Sequence, residues 1–228
     1  MPDTDTATAH PAPAIPRALF VLSIFYGGMV CIAGVLGNKQ VSLGPISQLG
    51  TALGVGPLAV EAGIFAFLIL VAVSSAVAEL YGRATAQKLV LFGFIPLVAS
   101  ILLSLVVLAL PASASMEPDR VKAVELMLGG TPRIWAGGIM AYGVSQLLNV
   151  TIFSALKRQT GQLVWLRAAI AGVLSQIVDT LIFITVAFYG VFPIGELIVG
   201  QMLSKVVLSA VLVPVLIALL VRLARRWA

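Results

Sequence analysis

Six stretches of this chain, near 18–37, 57–81, 88–110, 132–156, 165–190 and 194–221, are apolar over about 20 residues or more. Wound as helices at about 1.5 Å per residue, each can cross a hydrocarbon core of about 30 Å. The apolar residues run continuously instead of alternating, which argues for helical spans and against a barrel. Of the 228 residues 60% are hydrophobic and 10% charged, more apolar surface than a soluble domain of this length could hide. The expected fold class is therefore all-α, a polytopic membrane protein with six transmembrane helices. Residues 1–17, rich in Pro, Ala and Thr and without a basic start, are expected as a disordered tail and not a signal peptide. Residues 18–228 then form a single six-helix domain.

Charge sets the expected orientation. The tail, the connections after spans 2 and 4 and the C-terminus hold Arg17, Arg83, Lys88, Lys157, Arg158, Arg167, Arg222, Arg225 and Arg226. The other side holds Lys39, Arg120, Lys122 and Arg133, partly offset by Glu117, Asp119 and Glu125. This excess puts both termini in the cytoplasm. The net charge of +5 follows from that placement, and no basic stripe interleaved with aromatics points to nucleic acid. Residues 38–56 are Gly-rich, too polar to span and too apolar for an ordinary loop; they read either as a re-entrant, cavity-lining segment or as an interfacial loop. Residues 117–128 read as a short amphipathic helix on the outer surface. The single cysteine, Cys31, lies in span 1, so no disulfide framework can form. The single histidine, His10, lies in the tail, which removes His-based triads and His-ligated metals from the membrane region.

Two polar motifs repeat inside the apolar runs: Ser145-Gln146 with Asn149 in span 4, and Ser175-Gln176 with Asp179 in span 5. Positions i and i+3 share a helix face, so Gln146 projects with Asn149 and Gln176 with Asp179. On antiparallel neighbours the same motif is read in opposite directions, as in an inverted repeat, and repeat interfaces near the midplane hold transporter substrates. The alternative is interhelical glue, the reading preferred for Ser145 and Ser175. Asp179 costs a few kcal/mol at depth and is a functional residue by default. Helical rise places it roughly 2 Å to the outer side of its midpoint, and Lys205 of span 6 roughly 4–5 Å to the same side. The two are expected to pair, with a substrate or proton competing for the pair.

Phe153 and Phe183 lie one further turn along the same faces, either as packing or as a stacking surface. Glu79 and Tyr81 end span 2 at the cytoplasmic interface. There Glu79 either neutralises Arg83, with Tyr81 as an interfacial anchor, or forms part of a gate. Glu61, at the outer end of span 2, reads as interfacial.

In their order and spacing these residues resemble the queuosine precursor transporter family over about 20–210. The likeness rests on Asn38-Lys39, on Ala62-Gly63 ahead of Glu79-Leu80-Tyr81-Gly82, and on Arg133 and Ser145-Gln146. It continues through Trp165-Leu166-Arg167, through Ser175-Gln176 with Asp179-Thr180 and Phe183, and ends on Lys205. The resemblance implies a multi-pass protein of the bacterial inner membrane. It would import a 7-deazaguanine base, 7-cyano-7-deazaguanine or 7-aminomethyl-7-deazaguanine, for tRNA modification. The base would sit near the midplane between spans 4, 5 and 6, on Asp179, Gln176, Asn149, Gln146, Lys205, Phe183, Phe153 and Asn38. Glu79, Tyr81, Arg133, Arg167 and Ser75 would gate or brace the site. This chain departs from the family pattern at Gly34, Ser75 and Asn149, where the family tends to carry Asn, Asp and Asp.

The expected partners are a small deazapurine, the lipid bilayer and, as a candidate, a second copy of the chain, with no nucleic acid. No cofactor or metal is expected. No G-x-x-x-x-G-K-[ST] occurs, so the chain does not itself hydrolyse ATP. The alternative reading is the substrate-binding membrane subunit of a multi-component, ATP-driven vitamin or nucleobase importer. An enzyme is disfavoured, since no Ser/His, Cys/His or paired-carboxylate constellation lies at depth.

Overall fold

A computed structural model describes residues 15–52, 54, 56–130, 132–157, 163–191 and 194–227. The tail expected over 1–17, with His10, lies outside the described residues as far as residue 14, and Arg17 already opens the first helix. Arg158 also lies outside them. Among the described residues, six helices are long and apolar enough to cross a membrane. They are span 1 (Arg17–Leu36), span 2 (Gly63–Tyr81), span 3 (Arg83–Ala109), span 4 (Pro132–Ala155), span 5 (Val164–Phe188) and span 6 (Gly195–Trp227). The chain thus runs up and down between a terminal end, where spans 1 and 6 carry the termini, and an opposite, capped end.

Span 2 is the centre. In its 18-residue core 67% of the residues are buried, against 17% in span 1 and 11% in span 3. Its sequence explains this: Leu70–Ala78 is apolar or small on every face, and a helix without a polar side belongs inside. Spans 1, 4 and 6 and the first half of span 3 pack against it, and spans 4, 5 and 6 pack in succession. The outward residues are apolar as well; Ile95, Leu103, Val211 and Val215 are all more than half exposed, as a lipid-facing surface requires.

Two glycines make this packing possible. Gly82, at φ +85° and ψ 163°, turns the chain from span 2 into span 3 through a conformation open almost only to glycine. Gly93 lets spans 1, 3 and 4 meet: a Cβ there would strike the Tyr142 hydroxyl and lie 2.8 Å from Tyr26 Cε1. Tyr26 and Tyr142 share a hydrogen bond of 3.0 Å, and Tyr142 donates to the Val90 carbonyl at 2.9 Å.

The segment 38–56 contributes to a folded cap. Strands β1 (Gln40–Ser42) and β2 (Ala59–Glu61) pair antiparallel, with Gln40 opposite Glu61. Between them lie a 3-10 turn, Gly44–Ile46, and a short helix, Ser47–Ala52. This is why span 2 begins at Gly63 and not near residue 57: Ala59–Glu61 is taken by the hairpin. Ser47 ties the cap together, accepting from the Leu43 amide at 2.8 Å and donating to the Leu58 carbonyl at 2.6 Å. Val60 and Leu58 are buried beneath it, and β2 packs against span 6. The expected surface helix forms over Pro118–Leu128 with no buried residue.

Candidate functional site

Spans 4, 5 and 6 approach closely because small residues face one another. A Cβ on Gly137 would lie 3.2 Å from the Phe183 carbonyl, and one on Gly172 2.7 Å from Ser209 Oγ. This contact encloses polar side chains. Ser74, Ser75, Ser145, Gln146, Asn149, Arg167, Ser175, Gln176 and Thr180 are fully buried, and Gln201, Lys205 and Asp179 are 5–6% exposed.

They form a column along span 2 with an ion pair near each end. Towards the capped end, Lys205 Nζ lies 3.4 Å from Asp179 Oδ2, and Ser145 Oγ donates to Asp179 Oδ1 at 3.3 Å. The Phe183 ring lies 5.9 Å from the same ammonium. The expected Asp179–Lys205 pair is thus present, and the Ser145 hydroxyl bridges spans 4 and 5.

The middle differs from the expected grouping. Gln146 and Asn149 do share a face, but it looks onto span 2. Ser74 Oγ donates to Gln146 Oε1 at 3.2 Å, and Asn149 Nδ2 donates to Ser75 Oγ at 3.0 Å. Two of the three positions that depart from the family pattern, Ser75 and Asn149, therefore touch each other. Several amide atoms here lack any hydrogen-bond partner among the described residues: Gln146 Nε2, Asn149 Oδ1, both amide atoms of Gln176, and Gln201 Oε1. Buried polar groups are nearly always bonded, and each orphan costs about 1–3 kcal/mol.

At the terminal end Arg167 Nη2 binds Glu79 Oε2 at 2.8 Å, and Lys157 Nζ lies 3.6 Å from the same oxygen. The Arg167 guanidinium also stacks over the Phe153 ring at 4.6 Å. This corrects the expected Glu79–Arg83 pairing. Gly82 breaks the helix between them, so the i, i+4 relation is lost and Arg83 bonds Thr151 Oγ1 instead, at 3.3 Å. Tyr81 is half-buried where span 2 ends.

Two further residues stand apart from the column. Asn38 is exposed, its amide donating to the Gly34, Val35 and Met127 carbonyls, so it caps span 1 and ties down the surface helix. Arg133 donates to the Val186 and Tyr189 carbonyls, capping span 5 at its dipole-negative end.

Glu61, read as interfacial, is half-buried at the end of β2 and within electrostatic reach of both Lys205 and Asp179. Burial pushes its carboxyl above the ordinary range, Lys205 opposes that rise and Asp179 adds to it. An acidic residue bordering an apolar run was the available signal; the fold of the cap that turns it inward was not. Ser74, Lys157 and Gln201 are the other residues of the column that sequence reasoning missed. No cluster of three or more His, Cys, Asp or Glu side chains suited to a metal occurs among the described residues. An open apolar groove beside Ala169, Ile170, Val173 and Leu174 carries no polar surface and lies apart from this chemistry.

A family described as "Putative vitamin uptake transporter" matches residues 61–219, a range that begins at Glu61 and takes in the whole column. A protein of Bacillus subtilis (strain 168) named "Probable queuosine precursor transporter" is 34% identical over 142 residues. The match covers 60% of this chain and 61% of that relative's length. No solved structure matches the chain.

Proposed function

This chain belongs to the family described as putative vitamin uptake transporters, and from that premise we propose that it imports a queuosine precursor. The cargo is a 7-deazaguanine base, 7-cyano-7-deazaguanine or its aminomethyl relative, carried across the bacterial inner membrane towards the side that holds both termini. The observation that carries this reading is the row of buried amides with free hydrogen-bonding capacity, Gln146, Asn149 and Gln176, running up to the Asp179 carboxylate.

The chemistry suits such a base. A guanine-like edge presents adjacent N–H donors, which a carboxylate accepts in bidentate fashion. The free Nε2 groups of Gln146 and Gln176 can donate to its carbonyl and ring nitrogens, while Asn149 Oδ1 can accept. Phe183 lies beside the Lys205 ammonium and can cover the ring face. The occluded arrangement, with every group of the column but Glu79 and Lys157 nearly or fully buried, fits a carrier at rest between its two openings.

Binding of 7-cyano-7-deazaguanine to the purified chain, and its uptake into proteoliposomes containing this chain alone, test the reading. Asp179→Asn should weaken binding about 10–100-fold, the worth of a hydrogen bond to a charged group. Full affinity in that variant would refute the site. Binding without uptake, restored by an added ATPase, would favour a binding subunit of an ATP-driven importer.

A further inference from the structure

We propose that Glu61 is the second counter-ion of Lys205. When a ligand's N–H edge takes the Asp179 carboxylate, the ammonium passes to Glu61 and locks the docked β1–β2 cap over the occupied site. This rests on the proposed function and goes beyond it, by naming what closes the site and which residue senses the ligand.

One buried cation faces two carboxylates here. Lys205 bonds Asp179 at 3.4 Å, well beyond the roughly 2.7–2.9 Å of a tight charge-assisted bond. Bidentate capture of a ligand needs both Asp179 oxygens, of which Lys205 holds one and Ser145 the other. The displaced ammonium is enclosed among spans 5 and 6 and cannot remain unpaired there. Among the described residues Glu61 is a carboxylate available to it: it joins no ion pair there, and its strand packs against span 6. Its cross-strand neighbour Gln40 is neutral, and the neighbouring Lys39 is exposed, so among the described residues Lys205 and Asp179 are the charges that act on it. The four-carbon stem lets the ammonium move while span 6 stays in place, with the Phe183 ring 5.9 Å away beside its path.

Asp179 alone would give a site without a lid. With Glu61, an empty site leaves the docked cap without an ion pair to Lys205, and a filled one locks it in place. The sign of the pH effect follows. Only ionised Glu61 can receive the ammonium, so affinity falls as pH drops through its raised pKa.

Calorimetric titration of 7-cyano-7-deazaguanine into nanodisc-embedded protein, from about pH 5 to about pH 8, tests this. Glu61→Gln should bind on the order of tenfold more weakly at the alkaline end, with the two proteins converging as pH falls. Glu61→Asp should keep most of the affinity with a shifted pH midpoint. If Glu61→Gln is misfolded by size exclusion, the Glu61→Asp profile decides, and an unshifted profile overturns the proposal. A second readout is thiol labelling of Gln48→Cys on the cap, in a Cys31→Ser background. Ligand should slow labelling when Glu61 is present and not in Glu61→Gln. Wild-type affinity and pH profile in Glu61→Gln, with binding lost in Asp179→Asn, would overturn this inference and leave the proposed function standing. No binding by the wild-type chain would overturn both.

Discussion

Replacing Lys205 by alanine should cost more stability than removing any neighbouring polar group, and Asp179→Asn made alongside it should restore most of the loss. Both side chains are buried, 6% and 9% exposed, so water screens the pair weakly. At 3.4 Å and an effective dielectric of about 20 the attraction is roughly 5 kcal/mol. The contact is too long for the best directional bonding, so the lower part of the usual range of about 3–5 kcal/mol applies for stranding one buried charge, about 3 kcal/mol. In Lys205→Ala, Asp179 keeps only the Ser145 hydroxyl as a partner among the described residues. In the double variant the stranded charge is gone. The neutral amide that replaces the carboxylate still accepts from Ser145, and about 1 kcal/mol of cost remains. Asp179→Asn alone, whose ammonium partner has Glu61 as a second carboxylate, should cost about 1 kcal/mol. With both single costs counted, the two changes should couple by about 3 kcal/mol, at the top of the range of about 0.5–3 kcal/mol seen for contacting pairs. Reversible unfolding in mixed micelles, with each variant first checked by size exclusion, measures the cycle. Additivity within about 0.5 kcal/mol would mean that the ion pair contributes nothing and would refute the reasoning.

Two further outcomes follow from the packing. Glu79→Gln should destabilise by about 3 kcal/mol, because Arg167 is fully buried and loses its one carboxylate partner among the described residues. Lys157→Ala, at a residue 56% exposed, should cost less than about 1 kcal/mol; equal effects in thermal unfolding would contradict this. Gly93→Ala should cost about 1–3 kcal/mol by forcing Tyr142 and Tyr26 apart. Tyr142→Phe should relieve part of that cost, and Gly138→Ala, with open space around it, should be harmless in the same assay.

The spans were legible because a run of about 20 apolar residues has few other fates. Depth was legible too: helical rise alone put Asp179 and Lys205 at one level, and they pair. What rise cannot give is azimuth, the direction in which a face looks once six helices pack. Gln146 and Asn149 share a face as the spacing requires, yet which neighbour receives that face depends on span 2 lying at the centre. Ser145, one position away, looks across to span 5 instead. Spacing also misled at Glu79 and Arg83, where four residues imply contact only if the helix continues, and Gly82 stops it. Glu61 was hidden for a different reason, since a hairpin of two three-residue strands leaves almost no periodic signal.

The two ion pairs are unequal, and under the proposed function that inequality gives the carrier a direction of easier opening. Asp179 and Arg167 lie twelve residues apart on span 5, about 18 Å along the axis, further than one planar base is long. The pair at the capped end is long and weakly directional, and its cation also acts on the carboxyl of Glu61, its proposed second partner. The pair at the terminal end is short, at 2.8 Å, and its guanidinium is held against Phe153 with no second carboxylate paired to it among the described residues. A neutral base can loosen the first pair by offering N–H groups to Asp179, because Lys205 has somewhere to go. It has no such exchange to offer Arg167, whose release must come from movement of span 5 against span 2. Loading from the capped end is then the easier step, and opening towards the terminal end the slower one. The neutral contact between Ser75 and Asn149 fits this division, since it adds no third charge between the two pairs for the ligand to displace.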